Sequence, residues 1–592
     1  MTLSQTVSEA LVPKTAPEPI KTALARMSGL AELDELYATV RSSRKPIIPA
    51  VIEALDIRLS VADSDLARIP KTGAVIVVAN HPTGMLDGLV AARVLQRVRS
   101  DLRILGNELL SAVPELADLV IPVDLTSSVA AVKTNAAAIR RALEHVAAGG
   151  LLLIFPAGEV SRIQWREREI ADSGWSPSVV RLIRAAARQV PRLPVAPLHL
   201  SASNTAMFHA AGALHPELRL AMLPRQLLNK RGSEVGVRIG HSISASKLAE
   251  MGDDRDCAAY LRWRTYLLAK RPAFKAQTNA PLRRAGRLVQ PAALIPAVPA
   301  NALRDEIGSL APDRKLVESD GLTAYLASAA EIPQTLTEIS RLREITFRAA
   351  GEGTGRACDR DAFDDEYQHL FLWNEAKAEI AGAYRLARTA AVRDLYTATL
   401  FSYDPSFLDQ MGPAIELGRS FVRLEYQRSF APLLLLWKGI GQFVARHPEC
   451  KVLFGPVSIS NQYQNISREM MVAYLERRAP LTEWLGMVAS RFPFRPRLRL
   501  PQPACDRFEL DDLSSVIADI EPDGRGVPVL LRQYLKLGGR LLGFNIDPEF
   551  SNALDGLIVV DLTRTERKLL ERYLGKAESA AFLEFHKEAY AA

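Results

Sequence analysis

Cysteine is scarce in this chain: four in 592 residues, Cys257, Cys358, Cys450 and Cys505, far apart and never in a C-x-x-C pair. That argues against a structural zinc site and a disulfide scaffold, and it fits a reducing cytoplasm. Long apolar runs are lacking too. None approaches the roughly 18 residues that cross a bilayer, and the opening MTLSQTVSEALVPKTAPEPIK has no charged-then-apolar leader pattern. If the chain meets lipid, it is expected to do so from one side. There is no G-x-x-x-x-G-K-[ST] and no G-x-S-x-G, which sets aside P-loop nucleotide chemistry and a serine-hydrolase elbow. The glycines of Gly351-Glu352-Gly353-Thr354-Gly355 follow no convincing strand and read as a flexible loop. Basic residues exceed acidic ones by only 74 to 67, a net charge of +7. With no basic patch interleaved with stacking aromatics, no nucleic acid is expected as a partner. So mild an excess suits an anionic membrane surface or an acidic protein.

What is there is enough for two cores. The length favours two or more domains, and 48% hydrophobic with 24% charged residues is ordinary for folded protein. Residues 1–45 read as a polar or helical lead-in. From about residue 72, short β-branched runs alternate with amphipathic stretches. Strands are expected at 74–80, 102–105, 119–124, 151–155 and 193–200, and helices at 87–98, 132–148 and 176–190. That alternation predicts an α/β layered domain over 46–275. Residues 276–325, rich in Ala and Pro without a sustained period, read as a linker, and a second α/β domain is expected over 326–592.

Chemistry-bearing residues follow predicted strands. In Asn80-His81-Pro82-Thr83-Gly84-Met85-Leu86-Asp87-Gly88, His81 is placed to take a proton from an acceptor hydroxyl and Asp87 to hold the imidazole tautomer. Alone, a histidine at a strand end is most often a structural hydrogen bonder. The second block is Phe155-Pro156-Ala157-Gly158-Glu159, where Gly158 permits a tight turn whose N–H groups suit an anion. Val195-Ala196-Pro197-Leu198-His199 ends a further strand.

These three blocks, in this order, resemble the 1-acylglycerol-3-phosphate (lysophospholipid) acyltransferase family. The resemblance implies His81 as general base, Asp87 as its orienter, and Phe155, Gly158 and Glu159 in the acceptor-binding loop. Two departures stand out. Five residues separate His81 from Asp87 where the family has four, and the acidic residue follows the glycine instead of preceding it. Both point to an acceptor other than a glycerophosphate. Residues 206–232, mixing Met, Phe and Leu with Arg219, Arg225, Lys230 and Arg231, suit either a headgroup layer or packing on the core.

The second half holds Arg343-x-x-x-Phe347, Asp361-x-x-Asp364, Gly382-x-Tyr384-Arg385-Leu386, Glu416-Leu417-Gly418-Arg419-Ser420 and Leu436-Trp437-Lys438-Gly439. Singly these are ion pairs at strand edges. As an ordered set they resemble the GNAT-like N-acyltransferases of the ornithine lipid synthase (hemolysin-like) family. The resemblance implies transfer of a 3-hydroxyacyl chain from acyl carrier protein to an α-amino group. By that resemblance Glu416 would be the base, and Arg343, Arg385, Arg419 and Ser420 would shape the substrate site; as carboxylates, Asp361 and Asp364 suit an amino-acid ammonium.

Together the halves imply an N-terminal glycerolipid acyltransferase-like α/β domain and a C-terminal GNAT-like α/β domain, as in bifunctional ornithine lipid synthases. An amino acid, ornithine or glycine, would be N-acylated and the resulting lyso-aminolipid O-acylated. No bound cofactor or metal is called for. Acyl carrier protein, or coenzyme A, would supply the acyl groups on the inner face of the cytoplasmic membrane. The competing reading is a lysophospholipid acyltransferase with a non-catalytic second half.

Overall fold

The computed structural model of the chain describes residues 28–591, except 109, 111–112, 125–128, 165–168, 215–218, 220, 273–281, 285–286, 485 and 497–507. Most of the expected lead-in and Cys505 therefore lie outside the described residues. Two compact units form.

The first unit is built on an eight-stranded sheet. Its strands are β1 (Arg58–Val61), β2 (Val75–Ala79), β3 (Leu102–Asn107), β4 (Val120–Val123), β5 (Leu151–Ile154), β6 (Pro194–Ser201), β7 (Glu234–Ile239) and β8 (Ile243–Ser244). They lie in the order β1-β7-β6-β2-β5-β3-β4, with β8 also pairing with β6. The pairs among β2 to β6 are parallel, while β6 meets β7 antiparallel. Each residue of β2 and β5 is buried, so these strands read as unbroken apolar runs because helices cover both faces. Alternate residues Val75, Val77, Leu151, Leu153, Ala196 and Leu198 share one core with helix α1 (Met85–Leu95). Each such Val or Leu contributes about 1.5–3 kcal/mol by leaving water. On the other face lies α2 (Pro177–Gln189), capped by Ser176 accepting from the Ser178 N–H.

This unit also takes a piece of distant sequence. Helix Leu510–Ile520 belongs to it, although the sequence assigned 326–592 to the other domain. Beside its buried apolar face, the attachment is ionic. The Asp519 carboxylate accepts from Arg68 (2.9 Å), Arg264 (2.8 Å) and the His241 ring (2.7 Å), and its carbonyl accepts from Arg271 (2.7 Å). Arg271 in turn pairs with the buried Asp65 at 2.7 Å.

The second unit carries another eight-stranded sheet: β9 (Lys315–Ser319), β10 (Leu322–Ser328), β11 (Gln368–Asn374), β12 (Glu379–Arg388), β13 (Ala414–Val422), β14 (Val452–Ile459), β15 (Arg540–Asp547) and β16 (Ala553–Asp561), ordered β9-β10-β11-β12-β13-β14-β16-β15. Helix α3 (Pro333–Ala349) packs its apolar face, including Leu336, Ile339, Leu342 and Phe347, into a core with Phe371, Trp373 and Phe421. The expected linker is only partly one. A helix at Ala300–Gly308 and strand β9 lie within it and belong to this unit.

One pair in the second sheet is parallel, β13 with β14, and it is short, running from Ala414↔Val452 to Glu416↔Phe454. Beyond it the strands diverge for reasons legible in their residues. At Gly455 the backbones are still close, since a Cβ would stand 2.0 Å from the Leu417 carbonyl oxygen, and the divergence lies past it. Pro456 then brings no N–H to the ladder. On β13 the register with β12 slips near Arg419, which sits at φ 48°, a left-handed conformation costing a non-glycine residue about 1–3 kcal/mol. The result is a wedge-shaped opening in the sheet.

Candidate active sites

In the first unit, the chain leaves β2 through Asn80, whose side chain donates to the Leu200 carbonyl (3.1 Å) and accepts from the Leu200 N–H (2.7 Å), fixing the end of β2 against β6. His81 follows. Its Nδ1 lies 2.9 Å from Asp87 Oδ2, with Asp87 buried and His81 21% exposed. Asp87 sits in the first turn of α1, where the helix dipole favours an anion. It also accepts from the Thr83 N–H (2.8 Å), the Thr83 hydroxyl (2.5 Å) and the Gly84 N–H (2.8 Å). The longer His-to-Asp spacing is accommodated at Gly84, whose φ of 91° and ψ of −110° suit glycine alone.

The second block meets the first. Phe155 packs on His81 with ring centroids 4.6 Å apart and planes tilted by 34°. Gly158, at φ 66°, closes a turn by donating its N–H to the Phe155 carbonyl. The Ser161 N–H donates to the His81 carbonyl at 2.8 Å. Glu159 accepts from Ser173 (2.6 Å) and pairs with Arg219 (3.0 Å). Burial pushes its carboxyl up, but Ser173, Arg219 and Arg162 outweigh that and hold it below the usual range. Arg219 is thus turned onto Glu159, Arg225 pairs with Glu32 and Lys230 donates to the Ser203 carbonyl. Three of the four cations noted in 206–232 are engaged within the chain.

A residue that sequence reasoning missed organises this site. Asp172, fully buried, accepts from the His81 N–H (3.1 Å), the Ser161 hydroxyl (2.6 Å) and the Trp175 indole (2.9 Å), while Arg262 and Tyr266 hold its backbone. Its local sequence, Ile170-Ala171-Asp172-Ser173-Gly174-Trp175, carries no signal beyond a loop. His199 is buried against Tyr266, and burial, with Arg238 nearby, pushes its pKa down to about 4. It is a neutral core histidine at neutral pH.

In the second unit the expected residues separate into two groups. Asp364 takes Arg343 in a bidentate pair (2.7 and 2.8 Å) and Arg385 at 3.1 Å. Asp361 pairs with Arg385 (2.5 Å) and Arg419 (3.5 Å), and Asp359 with Arg343 (3.2 Å) and Arg419 (3.4 Å). Arg343, Arg385 and Asp364 are almost wholly buried. Burial pushes the Asp364 carboxyl up, yet Arg343 and Arg385 hold it far below its ordinary range. Its oxygens are spent on guanidinium groups, which leaves none for a substrate ammonium.

Glu416 is likewise occupied. It accepts from the Tyr367 hydroxyl, the Tyr396 N–H (3.1 Å) and the Thr397 N–H (2.6 Å), which fixes the segment 395–397. Arg419 and Ser420, by contrast, face the wedge. The cavity there is bounded by Leu417–Ser420 on β13, Pro456 and Ser458 on β14, and by Glu352, Tyr384, Tyr396, Tyr534, Phe550 and Asp555. The Arg419 guanidinium lies between the rings of Tyr396 (4.7 Å) and Phe550 (4.8 Å), contacts that favour a desolvated cation. The cavity thus offers a fixed cation, two serines, tyrosines and two carboxyl groups, a set that can hold a polar headgroup and move protons.

Comparison with known proteins agrees with the two-unit reading. Residues 43–273 match the family model described as Acyltransferase, and residues 342–438 the Acetyltransferase (GNAT) domain. The chain is 30% identical over 309 residues to the glycine N(alpha)-acyltransferase of Bacteroides thetaiotaomicron, a match covering 47% of this chain and 88% of that protein. It is 28% identical over 222 residues to the lyso-glycine lipid O-acyltransferase of Phocaeicola vulgatus, covering 36% of this chain and 74% of the relative. The crystal structure of the 1-acyl-sn-glycerophosphate (LPA) acyltransferase PlsC from Thermotoga maritima superposes with a TM-score of 0.26 at 16% identity, covering 46% of this chain and 89% of that one. Two acyltransferase domains share this polypeptide, and the chain belongs to the acyltransferase family that includes the Bacteroides glycine N(alpha)-acyltransferase.

Proposed function

We propose that this enzyme builds a two-chain aminolipid by consecutive acylations, with glycine as the headgroup. The observation that carries the reading is the pairing of relatives: one named for N-acylating glycine, the other for O-acylating a lyso-glycine lipid. The second unit transfers a 3-hydroxyacyl chain from acyl carrier protein to the amino group. The first unit then esterifies the 3-hydroxyl. With Nδ1 beside Asp87 at 2.9 Å, His81 Nε2 takes the hydroxyl proton as that oxygen attacks a thioester carbonyl. The C–S bond breaks and the thiolate recovers the proton from His81. Keeping both units in one chain holds the single-chain intermediate at high effective concentration. An acceptor with a carboxylate headgroup suits a loop where Glu159 is neutralised by Arg219. The reading includes work on the inner face of the cytoplasmic membrane, and the net charge of +7 supports that part of it.

Expression in a bacterium without aminolipids, followed by lipid mass spectrometry, tests this. Wild type should yield a two-chain glycine lipid and His81→Ala its one-chain form. A shift in phospholipid acyl composition with no aminolipid would overturn the reading.

A further inference from the structure

The second unit's motif residues do not provide a free proton acceptor, because Glu416 is saturated by Tyr367, Tyr396 and Thr397. Two other carboxyl groups line the wedge. Asp555 lies on β16 opposite Ser458 of β14, whose hydroxyl donates to it at 2.8 Å. Glu352 comes from the glycine-rich loop after α3, half-buried at the cavity wall.

That loop, expected to be flexible, is tethered. Glu344 accepts from the Thr354 N–H (3.1 Å), the Thr354 hydroxyl (2.7 Å) and the Gly355 N–H (2.8 Å). The Ser551 hydroxyl donates to the Gly353 carbonyl at 2.6 Å, and the Glu352 N–H to the Phe347 carbonyl at 2.8 Å. The Gly353 position is closely surrounded, since a Cβ would stand 2.7 Å from the Arg348 side chain. So many tethers around a single acidic side chain fix it at the cavity.

Resting on the N-acyltransferase reading of this unit, we propose that Asp555 accepts the proton of the attacking ammonium and Glu352 donates to the departing thiolate. Asp555 takes one proton from R–NH3+, and the freed amine attacks the thioester carbonyl carbon. As the C–S bond breaks, Glu352 protonates the sulfur and is recharged by the second nitrogen proton. The products are an amide, a thiol and one proton held on Asp555, which then passes to water.

The surroundings divide the roles. Burial and Asp547 push the Asp555 carboxyl up to about 7 against the opposing Ser458 hydroxyl and Arg419. Burial and Asp555 itself push Glu352 to about 8. Asp555, with a hydroxyl donor and a cation facing it, ionises first, and its charge keeps Glu352 protonated. The other titratable groups at this cavity are Tyr384, Tyr396 and Tyr534, each held neutral by burial.

The test uses purified full-length chain, a 3-hydroxyacyl thioester of acyl carrier protein, glycine, and a thiol-release assay across pH, with circular dichroism confirming folding. Wild-type rate should rise with pH through about 7. Asp555→Asn should lower kcat about 100-fold or more with KM for glycine little changed. Its deficit should shrink as pH approaches the amine's own pKa. Ser458→Ala, which removes a donor to the carboxylate, should move the rise to higher pH. Glu352→Gln should be relieved by a thioester of a more acidic thiol. An Asp555→Asn enzyme with unchanged rate and profile, or one whose loss is equal at all pH, overturns the assignment. No glycine-dependent thiol release from wild type overturns the N-acyltransferase reading and the assignment with it.

Discussion

The two units place their chemistry differently. In the first, His81, Asp87 and Phe155 lie in short contiguous blocks just past the ends of β2 and β5, and the structure brings them within contact of one another. In the second, the contiguous blocks build a buried ion network, while the carboxyl groups in the cavity come from a loop after α3 and from β16. A parallel sheet projects its loops toward one edge, so a block of sequence becomes a block of site. A wedge opened between two diverging strands is lined by whatever segments pass it. The arginines and aspartates behind that wedge brace the distorted strand.

The largest expected effect falls on the contiguous site. His81→Ala should reduce O-acylation about 10²–10⁴-fold with little change in unfolding, since the side chain is partly exposed; the fate of a lyso-lipid substrate reports it. Arg343→Met should act the opposite way. It leaves Asp364 and Asp359 short of a buried partner and should cost about 3–5 kcal/mol of stability, visible as a lower urea midpoint. Glu416→Gln sharpens the contrast within one unit. A loss of about 1.5–3 kcal/mol, with an unshifted pH profile of N-acylation, marks Glu416 as the anchor of 395–397. A pH effect belongs to the first unit. Burial pushes the Asp519 carboxyl up, but the His241 hydrogen bond and the Arg264 and Arg68 guanidinium groups bring it down to about 2. A depressed carboxyl stabilises above its unfolded pKa, so on the order of 2 kcal/mol is present at neutral pH and lost as pH falls from about 4 toward 2. Acid unfolding of Asp519→Asn should lack that component. Smallest is Phe155→Leu, which removes the ring contact on His81 and should cost about 0.5–1.5 kcal/mol, read as at most a roughly tenfold fall in O-acylation.

Much of the fold was legible because its strands are buried on both faces. Val75–Ala79, Leu151–Ile154 and Pro194–Ser201 stand where continuous apolar runs predict them. The edge strand β1, with an exposed and half-buried pattern, gave no such signal. The His81–Asp87 pairing was legible as chemistry, though Gly84's part in it needed the backbone. Asp172, Glu352 and Asp555 were not legible, since each acts through partners distant in sequence. The Asp364 ammonium role was expected from charge alone, and its guanidinium partners show why charge was insufficient. The helix Leu510–Ile520 has an amphipathic pattern that says where an apolar face lies and nothing about which core receives it.

That borrowed helix also sets an order of manufacture. Arg271 and the Asp519 carbonyl it holds are 248 residues apart, which at roughly 5–20 residues per second is about 12–50 s of synthesis. Through that interval the first unit has its sheet and its histidine, but the Asp519 side of its ionic lattice has not yet emerged. It reaches its finished form only after most of the second unit has been made. The unit proposed for the later step of the lipid's synthesis is therefore completed only once most of the domain proposed for the earlier step exists on the same chain.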